Sequence, residues 1–75
     1  MQAFVQLTLD SAKEENIYQE LKKMPEIKEV KILFGEWDII AKLELESPEA
    51  LAAFVMEKIR SISGVKITST MIVAK

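Results

Sequence analysis

Strict alternation of side-chain character near the N-terminus restricts most strongly how this chain can fold. Residues 2–9 place four apolar side chains on one face of an extended segment, namely Ala3, Val5, Leu7 and Leu9. A period of two is typical of a β-strand with one face against a core. The same period returns at 27–34, 39–46 and 65–74. The sequence therefore predicts four strands.

Two helices are predicted between these strands. Ser11 and Glu14 match a capping box, with Asp10 as an alternative cap, and Pro25 ends the first helix. The second helix begins at Ser47-Pro48, a hydroxyl cap followed by proline at the first helical position. Apolar residues at helical spacing define the buried faces: Ile17, Leu21 and Met24 in the first helix, and Leu51, Phe54, Val55, Lys58, Ile59 and Ile62 in the second.

The order of elements is therefore βαββαβ. Right-handed crossovers put both helices on one face of a four-stranded antiparallel sheet, which is the ferredoxin-like α+β fold. A chain of 75 residues encloses one core, so residues 1–75 are predicted to form one domain.

The composition excludes several functions. The chain has no cysteine and no histidine, which excludes disulfides, thiol chemistry and serine–histidine catalysis, and no calcium-loop motif or phosphate-binding glycine loop is present. We therefore predict no catalytic residue, no metal and no cofactor. The net charge of -2 disfavours nucleic acid. The short apolar runs and the lack of a signal-peptide pattern predict no membrane segment and a cytoplasmic location.

The sheet face opposite the helices carries large apolar residues on all four predicted strands. On the predicted alternation, the last strand turns Val65, Ile67, Met71 and Val73 to the core and Thr68, Thr70 and Ile72 to this open face. Scattered exposed apolar residues are common, but a continuous patch favours an interface. We therefore predict a sheet-to-sheet dimer through Phe4, Leu33, Ile40 and Ile72.

Two segments stand out as candidate binding residues. The hairpin Gly35-Glu36-Trp37-Asp38 contains the only tryptophan of the chain. Trp37 could pack on its own core, or it could line a pocket or a subunit contact. Asp38 could bond turn amides or meet an ammonium group. The second segment is Thr68-Ser69-Thr70, whose hydroxyls suit either a strand or a polar ligand.

The two segments together carry a family resemblance. The run Leu21-x-x-Met24-Pro25-Glu26-Ile27-x-Glu29-Val30, the hairpin at 35–38 and the strand Val65-x-x-Thr68-Ser69-Thr70-x-Ile72 resemble the RAM domain, the effector-binding part of Lrp/AsnC-type transcription regulators. The resemblance covers essentially the whole chain, and its most specific part is the hairpin joined to the threonine-rich last strand.

The resemblance implies an amino-acid sensor. It implies dimers that assemble into octamers or similar rings and bind a free amino acid between dimers. The hairpin and the residues Thr68, Ser69 and Thr70 would contact the ligand, with Asp38 on its ammonium group. It further implies regulation of transcription or amino-acid metabolism, with full-length Lrp/AsnC regulators as partners. The chain resembles stand-alone members that have no DNA-binding domain.

Three alternatives remain open on the sequence. A purely structural assembly module predicts the same oligomer without a ligand. A small enzyme of the dimeric αβ-barrel type shares the topology but often uses histidine. An ACT-type regulatory domain shares it too, but has a glycine-containing loop after the first strand, where this chain has Leu9-Asp10-Ser11-Ala12.

Overall fold

The computed structural model describes the backbone of residues 1–75 and every side chain except that of Ser11. The predicted Ser11 hydroxyl cap therefore lies outside the described residues. The alternative cap is present, because the Asp10 carboxylate accepts a hydrogen bond from the Ala12 amide at 3.2 Å. A 3-10 turn at Ser11–Lys13 then leads into the first helix.

The elements follow the predicted order. The strands are β1 (Gln2–Leu9), β2 (Ile27–Ile32), β3 (Ile39–Glu44) and β4 (Val65–Ile72), and the helices are α1 (Glu14–Lys22) and α2 (Pro48–Phe54). A π-helical turn, Val55–Ile59, extends α2. The strands form one sheet in the order β2-β3-β1-β4 with antiparallel pairing throughout. This confirms the predicted ferredoxin-like fold. No helix in the described chain is long and apolar enough to cross a membrane.

The core lies between the helices and one face of the sheet. The four β1 residues predicted to be buried are each at most 7% exposed. Facing residues of β3 and both helices complete the core, among them Ile39, Leu43, Ile17, Leu21, Leu51 and Ile59. Tight packing of these side chains supplies most of the driving force for folding.

Three side chains of β2, the loop after it and the second helical segment are exposed although alternation and helical spacing assign them to buried faces: Ile32, Phe34 and Lys58. Alternation over residues 27–34 predicts Val30, Ile32 and Phe34 on the inner side of β2. In the structure β2 ends at Ile32, which is 40% exposed, and Phe34 is fully exposed in the following loop. Lys58, expected on the buried stripe of the second helix, is also exposed. It lies within the π-helical turn, whose wider spacing changes which residues face the core.

A β-bulge reverses the predicted faces of β4 from Ile67 onward, whereas Val65 lies on the core side as predicted. Thr8 lies opposite Ile67, whereas Leu9 lies opposite Val65, so Lys66 is one additional residue in β4. Directly paired residues share a face of the sheet. Ile67, Ser69 and Met71 therefore share the open face with β1 residues Thr8, Gln6 and Phe4, and Thr68, Thr70 and Ile72 face the helices with Leu7, Val5 and Ala3.

The prediction that placed Ile72 on the open face is therefore wrong, because the bulge shifts the alternation by one residue. Phe4 and Ile40 do lie on that face, and Leu33 continues it beyond the end of β2. Ile67 and Met71, which are 59% and 42% exposed, take the place expected for Ile72. Whether these residues form a dimer interface stays a prediction.

Candidate functional site

Backbone hydrogen bonds fix the base of the hairpin. The Leu33 amide donates to the Asp38 carbonyl at 2.8 Å, and the Asp38 amide donates to the Leu7 carbonyl at 2.9 Å. The Asp38 side chain adds a third bond, because its Oδ2 accepts from the Leu9 amide at 2.8 Å. Asp38 thus closes the end of the ladder between β1 and β3. The amide that it binds belongs to β1, not to the turn itself.

The tip of the hairpin projects from this fixed base. Gly35 has a φ of +150°, a conformation that other residues rarely adopt, and a Cβ there would meet nothing within 4 Å. Glu36 is exposed, and Trp37 is half-buried. Among the described residues, Trp37 is not one of the partly buried hydrophobic side chains that pack against the core. Part of the Trp37 side chain is therefore accessible from outside.

The hydroxyl run of β4 is divided between two surfaces. Ser69 lies on the open face opposite Gln6. Thr68 and Thr70 lie on the helix side, where they line a groove beside α2. Three adjacent residues of a strand cannot all contact one ligand from the same side. Only the two threonines can act together.

We call this depression the α2–β4 groove. Its volume is about 370 Å³, and it is lined by Pro48, Leu51, Ala52, Val55, Met56, Arg60, Thr68, Thr70 and Ile72. Arg60 is the charged residue of that lining. Its amide donates to the Val55 carbonyl at 2.8 Å, the hydrogen bond that defines the π-helical turn. The turn therefore fixes Arg60 at the groove.

Sequence reasoning did not identify Met56 or Arg60 as functional candidates. Met56 is 63% exposed although it lies in an apolar helix, and Ile72 is 50% exposed. The missed signal was the bulge, since only its presence turns the β4 threonines toward α2. Once the faces are known, an exposed methionine next to two threonines and an arginine indicates an accessible cleft.

The hairpin and the groove do not form one pocket within a chain. Ile39, next to Asp38, is opposite Leu7, and Leu7 is opposite Thr68. Thr68 and Ile39 are therefore two strand spacings apart, or about 10 Å. In addition, Thr68 faces the helices, while the hairpin extends past the end of the sheet. Within one chain the two segments therefore lie at separate places.

The available chemistry is that of recognition. Asp38 offers a carboxylate for a cation, the groove offers hydroxyls and a guanidinium for an anion, and Leu51, Val55 and Met56 offer apolar walls. Among the described residues, no group of three or more histidine, cysteine, aspartate or glutamate side chains could hold a metal ion.

Comparison with known proteins relates the chain to a family of ligand-binding domains. Residues 2–75 match the family model described as the Lrp/AsnC ligand binding domain. The chain is 37% identical over 75 residues to the HTH-type transcriptional regulator FL11 of Pyrococcus horikoshii, which covers all of this chain and 49% of that protein. The chain thus spans about half the length of this relative.

Two solved structures are similar over nearly the whole chain. The crystal structure of FFRP-DM1 gives a TM-score of 0.92 at 38% identity and covers 96% of both chains. The transcriptional regulator NMB0573 of Neisseria meningitidis, solved as a complex with L-Met, gives a TM-score of 0.91 at 25% identity. That match covers 99% of this chain and 49% of the regulator.

Proposed function

Because this chain belongs to the Lrp/AsnC ligand-binding domain family, we propose that it binds a free amino acid at a contact between copies of itself. Its relatives are transcription regulators, which supports an effector-sensing regulatory role over a catalytic one. The L-Met complex of the Neisseria regulator supports an amino acid as the class of effector.

The observation that carries the proposal is the division of the site between two places. The hairpin presents a carboxylate that suits an α-ammonium group, and the Gly35 amide is unshielded by a side chain. Thr68 and Thr70 present hydroxyls at a separate surface of the same chain. An effector held between chains would contact the hairpin of one and β4 of another. Ser69 would contact the effector only if the effector also reached the open face of the sheet.

The dimer in this proposal forms through the open face of the sheet. Phe4, Ile40, Ile67 and Met71 supply an apolar surface on three neighbouring strands, with Leu33 at its edge. Burial of such a surface is worth about 25 cal/mol per Å² of apolar area before the cost of association is subtracted. Dimers formed in this way leave the hairpin and the α2–β4 groove accessible for further assembly.

Effector binding would act on assembly by mass action. A ligand held between dimers stabilises the larger oligomer, such as an octamer or a similar ring, by its differential affinity for the assembled form. Full-length regulators of the family carry the same domain and are the natural partners for mixed assembly. In this way a change in amino-acid concentration would become a change in the state of a regulator.

The test is calorimetric titration of the chain with each of the twenty common amino acids, with light scattering on the same samples. We expect at least one amino acid to bind and to shift the average molar mass. If no amino acid binds and the molar mass is constant, the sensor proposal is wrong.

A second candidate function is a purely structural assembly module. The observation that favours it is the hydrogen bond between Asp38 Oδ2 and the Leu9 amide, which gives Asp38 a role without any ligand. This alternative predicts the same oligomer at every amino-acid concentration, so the titration above distinguishes the two.

A further inference from the structure

We propose that Phe34 at the hairpin tip of one chain inserts into the α2–β4 groove of a second copy, where Glu36 of the first chain pairs with Arg60 of the second. The contact needs no effector. It therefore stands or falls separately from the amino-acid binding proposed above.

The first observation is the state of Phe34. Its side chain is fully exposed, at 107% of the reference exposure, so it packs on nothing in its own chain. Large aromatic side chains normally bury most of their area and often anchor interfaces. The hydrogen bonds of Leu33 and Asp38 fix the base of the hairpin. Phe34 is thus an apolar projection on an ordered support, which reduces the entropy lost on docking.

The second observation is the groove itself. Its walls include Leu51, Val55, Met56 and Ile72, and two of these side chains, Met56 and Ile72, are at least half exposed. A volume of about 370 Å³ lies within the range of roughly 300–1,000 Å³ typical of binding clefts. The groove is therefore large enough and apolar enough for an aromatic ring.

The third observation is charge complementarity. Glu36 is exposed two residues after Phe34, and Arg60 is exposed at the groove with no carboxylate in the groove lining as described. When Phe34 enters the groove, a carboxylate arrives beside a guanidinium. Such pairs fix the orientation of a contact and discriminate against wrong partners.

The topology assigns the occupant to another chain. The hairpin joins β2 to β3, and the groove lies beside β4, which is three strand spacings from β2, or roughly 14 Å. β1 and β3 stand between them, so a chain cannot fill its own groove. Because the two surfaces differ, the contact is heterologous and propagates from chain to chain until a ring closes.

The experiment reverses the charge of Glu36 in one variant and that of Arg60 in another, and then mixes the two variants. Sedimentation velocity without amino acids compares the unmodified chain with Glu36→Arg, Arg60→Glu, their equimolar mixture and Phe34→Ala. We expect each single variant to weaken assembly beyond the sheet-paired dimer by about tenfold or more. The mixture should restore it, since every contact between unlike chains then joins opposite charges.

Matched controls separate this contact from a general effect of charge. Glu20→Arg and Lys58→Glu make the same charge changes at exposed positions outside the groove and the hairpin, and they should assemble like the unmodified chain. Circular dichroism checks that every variant is folded. The proposal is overturned if the single variants assemble normally, if the mixture does not recover, or if the unmodified chain shows no assembly beyond a dimer.

Discussion

The Asp38 carboxylate connects the hairpin to β1 through Oδ2, which accepts a hydrogen bond from the Leu9 amide. In the proposed site the same carboxylate also supplies negative charge for an ammonium group. These two roles depend on different properties of the side chain. The hydrogen bond needs an acceptor oxygen, and the ammonium contact needs the charge. A pair of substitutions can therefore separate them.

Asp38→Ala removes both properties, whereas Asp38→Asn keeps an acceptor and removes the charge. We expect Asp38→Ala to lower the free energy of unfolding by about 1 kcal/mol, because the partly buried Leu9 amide loses its partner. Asp38→Asn should lose less than half as much. Both variants should bind the effector about tenfold more weakly or worse. Chemical denaturation measures the loss of stability, and calorimetry measures the loss of affinity. If Asp38→Asn binds the effector with unchanged affinity, the charge of Asp38 does not contribute to the site.

At the scale of the elements, the end of the second helical segment depends on Gly64. This residue has a φ of +100°, and its carbonyl accepts a hydrogen bond from the Asp10 amide at 2.8 Å. A Cβ at this position would lie 3.0 Å from Cβ and Cγ of Lys13 and 3.2 Å from Cδ1 of Ile17. The turn into β4 therefore requires glycine for its backbone conformation and for its closeness to the segment that begins α1.

Gly64→Ala should lower the free energy of unfolding by about 2 kcal/mol, because a strained backbone and a steric conflict act together. Gly35→Ala is the matched control, since its φ is +150° but an added Cβ meets no atom within 4 Å. Gly35→Ala should lower the free energy of unfolding by about 1 kcal/mol, through backbone strain alone. Equal losses in thermal or chemical denaturation would contradict the role given to the Lys13 and Ile17 contacts.

The alternation and helical spacing of the sequence predicted the element order and most of the core, because each pattern reports which side of an element is apolar. The bulge at Lys66 was not predictable in this way. It requires knowledge of which β4 residue lies opposite Thr8 and Leu9, a tertiary relationship. The hairpin was located correctly, but the side of the sheet that Thr68 and Thr70 face follows only from the bulge.

At the scale of the whole molecule, two distinct surfaces are available for association. The open face presents Ile67 and Met71, and the helix side presents Ile72 at the α2–β4 groove. All three are at least 42% exposed in the single chain. The proposed sheet-paired dimer uses the first surface, and the proposed head-to-tail contact joins the second surface to the hairpin tip of another chain.

A charged residue introduced into one surface at a time should show which association depends on that surface. Ile67→Asp should yield species that no longer form the sheet-paired dimer, because the substitution places a charge in the apolar surface that the dimer would bury. Ile72→Asp should leave that dimer intact and stop larger assembly. Sedimentation velocity over a range of concentrations distinguishes these results. A monomeric Ile72→Asp variant would instead place Ile72 in the dimer interface, as the sequence predicted.

The extra residue in β4 has a consequence for how this chain changes over time. Loss of the single codon for Lys66 would remove the bulge but keep Leu9 opposite Val65 and Thr8 opposite Ile67, so the residues that follow would stay on their present sides of the strand. Loss of a residue within the paired part of β4 would instead exchange the two sides beyond that point. Members of the family should therefore be compared at β4 by the side of the sheet that each residue occupies, since the effect of a one-residue gap depends on whether it falls on the bulge.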